Sequence, residues 1–487
     1  MPGVQSRQRG LDVRELFVLL FLAAIFAMSV RPTLDPDMWW HLETGQVILE
    51  NGIPRHDIFS YTVPDHEWIT HEWLSEVIMW LGWDVAGLPG LIILFAAANT
   101  LTFWLIYRRC RGRPYLAAFV VLLAAIASSV VWGARPQMFN LLFTAAYIYL
   151  IEGVRQRTLS KRALLWLPLL SMLWANLHSG YLLGIVLLGT YAVGDFLAQW
   201  RKQDETPSYD IVAWLGAMTV LSFLTAAINP NGPALWIYPF YTLGSQAMQS
   251  YIQEWHSPDF HQGIYWAFAG LFFLGVLAWS LSPRRPTITE LLLFLGTLAA
   301  GLQSSRNIPI FALVAAPIIC RHLVLTLEGA PGLVPLLQPS TARRSWLNGL
   351  VAFLGLLAVV LWSWQTIQTN PEEIRERYPL AAVDYIEESG LAQQNVYNSY
   401  NWGGYLIWRD IPVFVDGRAD VYGDEFLFYY RQTFDPQPTW QEPLDEFAVD
   451  YVLMERNDPL TTLLAASQGW QQAYSDDVAM IFVRRDE

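Results

Sequence analysis

The chain has 487 residues, 54% of them hydrophobic and only 15% charged, too little charge for a soluble protein of this length. Aromatic residues make up 14%, which suits long water–lipid boundaries. The formal net charge of -13 leaves no basic face for neutralising phosphates along a polymer, which excludes nucleic acid as a partner.

A membrane helix needs about 20 mostly apolar residues. About eleven runs qualify, near 15–31, 90–107, 115–132, 136–152, 163–177, 180–199, 209–228, 264–281, 288–303, 306–324 and 347–367. Every second gap between them is basic. Arg7, Arg9 and Arg14 precede the first run, and "RRCRGR" follows the second. Arg155, Arg157, Lys161 and Arg162 come next, then Arg201 and Lys202, then Arg284 and Arg285, then Arg321, Arg343 and Arg344. Residues 229–263 contain no Lys or Arg. Cations stay on the cytoplasmic side, so the N-terminus is expected inside and, after an odd number of spans, the C-terminus outside. The first run also reads as a signal peptide; its retention as an anchor better explains why the external loop starts abruptly at Asp35. Cys110 and Cys320 fall at cytoplasmic ends of runs, so no disulfide framework is implied.

The first external loop, 32–89, opens with "LDPDMWWHLETG". Asp35, followed by Pro36 and a helical pattern ending at Gly52, reads as an N-cap with proline at the first helical position. One cap suffices, so capping does not account for Asp37, which shares a helix face with His41 four residues on. A helix N-terminus favours anions, so both carboxylates are expected to stay ionised, as metal ligands or a general base require. Trp39 and Trp40 are expected to anchor this helix in the membrane interface. Later in the loop, "HEWLSEVIMWLGW" carries His71 and Glu72 after Thr70, a cap for an interfacial helix. It lacks the second histidine of the zinc-protease pattern, and with scattered histidines and no thiol nearby a zinc site is not expected.

Other polar residues collect on the same side: Arg135 in "GARPQMF", His178 in "WANLHSGY", Glu254 in "IQEWHSPDF", Arg306 in "SSRNIPIF" and Arg418 in "VFVDGRADVYGDE". The cytoplasmic gaps show no comparable cluster, so any active site is expected to face outward. A lone arginine at a span end commonly snorkels. Two of them, Arg135 and Arg306, on the face that carries two carboxylates point instead to phosphate, which arginine binds bidentately. For His178 a structural role and a functional one stay equally open.

Near residue 370 the composition changes. "NPEEIRERYPLAAVDYIEESG" reads as an amphipathic helix, and "NVYNSY", "PVFVDG", "DYVLME" and "VAMIFVRR" as short strands with helical stretches such as "YGDEFLFYYRQTF" and "TWQEPLDEF" between them. The expected organisation is a multi-span transmembrane domain over 1–369 and an extracytoplasmic α/β domain over 370–487.

The acidic "DPD" in the first external loop, the multi-span body and the C-terminal external domain together resemble the GT-C superfamily of membrane glycosyltransferases. The wording "DPDMWWHLETGQVILENGIPRHDIFSYT…THEWLSEV" is similar to a group of bacterial members, and the resemblance covers most of the chain. It implies that Asp35 and Asp37 stand at the catalytic centre, where several members bind a divalent cation such as Mg or Mn. It also implies a polyprenyl-phosphate-linked sugar as donor, used at the outer face of the bacterial cytoplasmic membrane, with a glycan, lipid or protein as acceptor. "YNSYNWGGYLIW" is similar in part to the Trp-Trp-Asp motif of oligosaccharyltransferase catalytic subunits, but Asn401, Trp402 and Gly403 replace its residues, so acceptor-sequon recognition is not implied.

On this reading Asp37 is the base or metal ligand, with Asp35 supporting it, and Arg306 and Arg135 clamp the donor phosphate. His41, His71, Glu72, His178, Glu254 and Arg418 are lower-ranked substrate-binding residues. The competing classes are a transporter or flippase of lipid-linked glycans, which should show polar residues at the bilayer midplane and internal repeats, and a catalytically inactive scaffold of the same fold.

Overall fold

A computed structural model describes residues 11–64, 66–110, 112–204, 206–328, 345–434 and 436–485. Arg7, Arg9, Arg111, Arg343 and Arg344, counted above among the basic gaps, lie outside the described residues.

The body is helical. In chain order it contains α1 (Val13–Ser29), α2 (Asp37–Asn51), α3 (Trp73–Tyr107), α4 (Pro114–Ser128), α5 (Gln137–Arg155), α6 (Trp166–Leu177), α7 (Tyr181–Trp200) and α8 (Tyr209–Thr225). The short α9 (Tyr238–Gly244) and α10 (Gln246–Tyr251) precede α11 (Trp266–Leu281), α12 (Ile288–Gln303), α13 (Ile308–Glu328) and α14 (Ser345–Arg377). Each apolar run read from the sequence falls on a helix. Among the described residues six helices qualify by length and apolarity to cross a membrane, within Trp73–Tyr107, Pro114–Val131, Tyr181–Trp200, Gly263–Leu281, Ser305–Glu328 and Trp346–Arg377. Tyr209–Thr225 and Ile288–Gln303 are apolar but shorter. Start signals are local: Asp12 with Glu15, and Thr287 with Glu290, form reciprocal capping boxes at α1 and α12.

Two elements run further than their sequences suggest. The "HEWLSEV" helix is not separate from the second span: α3 carries both, with a break at Gly87 (φ 62°) just before Pro89. Likewise α14 passes through Pro371 to Arg377, so the helix does not begin at that proline.

The C-terminal part follows as α15 (Leu380–Glu388), β1 (Val396–Asn398), α16 (Gly403–Trp408), α17 (Ala419–Arg431), α18 (Glu442–Glu446), β2 (Tyr451–Glu455), α19 (Pro459–Ala466), β3 (Trp470–Ser475) and β4 (Ala479–Arg484). The sheet order is β1-β2-β4-β3, with β1 parallel to β2 and the other pairs antiparallel. β2 is central and buried over Tyr451–Met454, as its unbroken apolar run requires. "PVFVDG" is not a strand of this sheet. Its Val413 bridges to Ser60 of the first loop instead, so the segment joins the two halves of the molecule. β3, absent from the sequence reading, has only one buried residue, Trp470.

A candidate active site where the first loop meets the C-terminal segment

A cavity of about 1470 Å³ lies between the first loop, the turns before α5 and α7, the 229–263 loop and the segment before α17. Every site residue singled out from the sequence borders it. The structure assembles them from positions up to 383 residues apart, through a few local devices.

The helix starts one residue later than expected, with Pro36 and not Asp35 at the N-cap, but the Asp35 carboxylate still accepts the Asp37 N–H at Oδ1 (3.1 Å) and its carbonyl the Met38 N–H (3.2 Å). Its Oδ2 lies 3.2 Å from Nε of Arg135, whose Nη2 also bonds Glu254. Ser304 and Ser305 fix Glu254 in turn, each donating its hydroxyl to the Glu254 carbonyl (2.9 and 3.0 Å). Among the described residues Asp37 makes no ion pair, and Arg135, engaged by Asp35 and Glu254, acts on it only from further off. Trp40 donates its indole N–H to Asp37 Oδ1 (3.1 Å).

Two glycines of the C-terminal segment press against this turn. A Cβ on Gly417 would sit 1.8 Å from Asp37 Oδ1, and one on Gly404 would sit 2.5 Å from the Pro36 carbonyl. Only glycine permits such an approach. Trp39 and Trp40 are therefore not interface anchors. Both are buried, Trp39 among Tyr378, Tyr405 and Trp408, and Trp40 beside Trp68 and the Asp37 carboxylate.

This burial overturns the expectation that both carboxylates stay ionised. Loss of water first, and the neighbouring Asp35 charge second, together raise the Asp37 pKa to about 8. Burial also raises Asp35, but Arg135 opposes it. Asp35 has the counter-ion and so takes the charge, whereas Asp37 holds the proton near neutrality.

A second cluster centres on Glu72, at the start of α3. His41, His71 and His178 each bring Nε2 to its carboxylate, at 3.6, 3.3 and 3.3 Å. The Gly180 N–H donates to Nδ1 of His178 (2.8 Å), so this ring carries its proton on Nε2, the nitrogen that faces Glu72. His71 bonds the Ile69 carbonyl through Nδ1 (3.2 Å), and its Nε2 faces Glu72 and, at 3.5 Å, the Tyr238 hydroxyl, which donates to Asp420 (3.0 Å). Burial alone would discharge His71, but Glu72 beside it prevails and raises its pKa. Burial lowers His178 to about 4 and His41 to about 3. Burial would raise Glu72, yet the histidines around it hold it well below the usual carboxylate range. His41 thus faces Glu72 and, through Nδ1, Glu76 (3.4 Å), in place of a partnership with Asp37.

Arg418, expected among substrate ligands, is structural in its contacts. It is 2% exposed, bonds Asp416 through Nε (2.9 Å) and Nη2 (2.7 Å), and bonds Asp57 of the first loop through Nη1 (2.7 Å). It also lies over the rings of Phe59 and Trp68. It staples the first loop to the C-terminal segment. Arg306 is the opposite case. Among the described residues it makes no hydrogen bond or ion pair, and its guanidinium lies 5.6 Å from the Trp255 ring. Sequence reading misses Tyr238 and singles out Gly417 and Asp420 only as part of the loop "DGRAD", which the density of aspartate and glycine marks.

A helical membrane body whose first loop presents paired carboxylates to a cavity roofed by a small C-terminal segment defines the class: the chain has the GT-C fold of polytopic membrane glycosyltransferases. The particular likenesses come from solved structures. The oligosaccharyltransferase AglB from Archaeoglobus fulgidus, in complex with an inhibitory peptide and a dolichol-phosphate, matches 96% of this chain and 74% of its own at 11% identity and a TM-score of 0.59. ArnT from Cupriavidus metallidurans in the apo state matches 96% of this chain and 97% of its own at 14% identity and a TM-score of 0.52. A further structure of that ArnT holds undecaprenyl phosphate and matches with a TM-score of 0.50. No protein-family model matches the sequence, and no curated protein matches it significantly.

Proposed function

We propose that this chain transfers a sugar from a polyprenyl-phosphate donor to an acceptor at the outer face of the bacterial cytoplasmic membrane. The observation that carries the reading is one cavity holding both Asp37 and Arg306, whose side chain has no hydrogen bond or ion pair among the described residues. Transfer requires the acceptor to lose a proton and the leaving phosphate to be met by positive charge. A lone pair of the acceptor oxygen forms the new bond to the anomeric carbon. The bond from that carbon to the phosphate oxygen breaks, its electron pair leaves with the phosphate, and the acceptor proton passes to the ionised form of Asp37, the form that grows as pH rises toward 8. Arg306 meets the phosphate with free donors. Arg135 is a positioning residue, since Asp35 and Glu254 already occupy its guanidinium. The ArnT solved with undecaprenyl phosphate and the AglB solved with dolichol-phosphate support the donor class. The alternation of basic gaps supports the outward orientation and an extracytoplasmic C-terminal segment.

A divalent cation at Asp35 and Asp37 fits the donor set poorly. Arg135 neutralises Asp35, Trp40 bonds Asp37, and among the described residues no group of three or more His, Cys, Asp or Glu is arranged to hold a metal ion. Proton transfer and phosphate stabilisation are therefore assigned to protein groups alone.

The test is reconstitution of the purified protein in lipid nanodiscs with a panel of polyprenyl-phosphate sugars, paired with mass spectrometry of surface glycans from cells lacking it. Loss of one sugar from those glycans, and its transfer in the nanodisc, are expected. Unchanged glycans and no turnover with any donor contradict the reading.

A further inference from the structure

Beside the main cavity lies a second one of about 450 Å³, within the range of small-molecule sites, roughly 300–1,000 Å³. The two share Tyr238, Thr242, Met248, Ala419 and Asp420, so they are neighbouring compartments of one site. Their chemistry differs. The main cavity is bordered by arginines, among them the unpaired Arg306. The lining of the second contains no Lys, Arg or His.

Two large rings, Phe240 and Tyr241, border the second cavity and are 61% and 71% exposed. Neither has a ring partner among the described residues, and both border a cavity that also holds carboxylates. Facing them are two carboxylates with capacity to spare. Glu67 has no side-chain hydrogen bond among the described residues, and Asp420 uses only Oδ2, for the Tyr238 hydroxyl. The third acid, Asp424, is fully engaged: it accepts from Ser245 (2.5 Å) and from the Gln246 and Ala247 N–H groups (2.8 and 3.3 Å) at the start of α10. It shapes the wall and is no ligand. Apolar ring faces set against carboxylate acceptors match a sugar, whose C–H face stacks on an aromatic ring while its hydroxyls donate to oxygen. A phosphorylated or otherwise anionic acceptor would meet two acids and no cation.

We infer that this second cavity is the acceptor subsite and that the acceptor is an uncharged, hydroxyl-rich glycan. The inference rests on the transferase reading above and names the substrate class that reading leaves open. The glycan enters along Phe240 and Tyr241, and its reacting hydroxyl passes Asp420 and Tyr238 into the main cavity. There its oxygen bonds the anomeric carbon, its proton goes to Asp37, and the polyprenyl phosphate leaves.

The test probes full-length protein in nanodiscs against an array of neutral glycans and their sulfated or phosphorylated counterparts, with undecaprenyl phosphate binding measured in parallel. Selective binding of a neutral glycan is expected. Tyr241→Ala and Glu67→Gln should each weaken that binding by about tenfold and leave undecaprenyl phosphate binding unchanged. Asp37→Asn should still bind the glycan. If undecaprenyl phosphate binds and no neutral glycan does, or if anionic glycans bind as well as neutral ones, the subsite inference fails while the donor reading stands. If Tyr241→Ala leaves glycan binding intact and loosens only association with the lipid, the two rings are membrane anchors and the inference is overturned. Failure to bind undecaprenyl phosphate counts against the transferase reading itself.

Discussion

Gly417→Ala separates folding from catalysis. The added methyl would lie 1.8 Å from Asp37 Oδ1, 3.0 Å from Asp37 Cγ and 3.2 Å from Trp40 Nε1. Gly417 is not among the residues of positive φ, so alanine adds no backbone strain there. The atom it meets is the end of a short side chain, which can rotate away. Relief requires the carboxylate to retreat by more than an ångström and to break the bond from Trp40. Stability should therefore fall only by the cost of mild overpacking, about 1–3 kcal/mol. A displacement of that size at a catalytic group costs roughly a hundredfold in rate. In nanodiscs, the single-turnover rate from a polyprenyl-phosphate sugar should drop about a hundredfold, with undecaprenyl phosphate affinity unchanged. Gly296→Ala in α12, where nothing lies within 4 Å of the added methyl, is the matched control. A Gly417→Ala protein that turns over at the wild-type rate would refute the placement of Asp37 as the reacting base.

Arg306→Ala should weaken undecaprenyl phosphate binding by roughly tenfold to a hundredfold in a titration, because the free guanidinium contributes charge-assisted hydrogen bonds. Since the Asp37 pKa is raised, its basic form accumulates as pH rises, so the transfer rate should climb through a midpoint near pH 8 before it levels off. Asp35→Asn removes the second cause of that shift and should move the rising limb of a pH–rate profile to lower pH. Arg418→Met leaves Asp416 and Asp57 buried without their cation and should destabilise the protein by about 3–5 kcal/mol, visible as a lowered midpoint in a fluorescence melt.

The helical body was legible because apolar length and capping are local signals, as at Asp12–Glu15 and Thr287–Glu290. The gathering of Asp35, Arg135, Glu254 and Arg306 was legible as a tendency of polar residues to collect on one side, but their pairing was not. Pairing depends on a turn before α5 and a loop before α11 meeting at Arg135. Trp39 and Trp40 carry the composition of interface residues; what buries them arrives more than 300 positions later, at Tyr378, Tyr405 and Gly404. The same distance hid the raised pKa of Asp37, since a helix start looks solvated until Gly417 closes over it. β3 was missed because its residues after Trp470 face outward or lie half-exposed and show no apolar alternation.

The central claim is that Asp37 takes the acceptor proton in a cavity that binds the donor independently of it. Asp37→Asn in nanodiscs, assayed by mass spectrometry for transfer from a polyprenyl-phosphate sugar and by titration for undecaprenyl phosphate, tests that claim most directly. Loss of transfer with donor-lipid binding retained is the expected result. Transfer at the wild-type rate by the asparagine variant would contradict it.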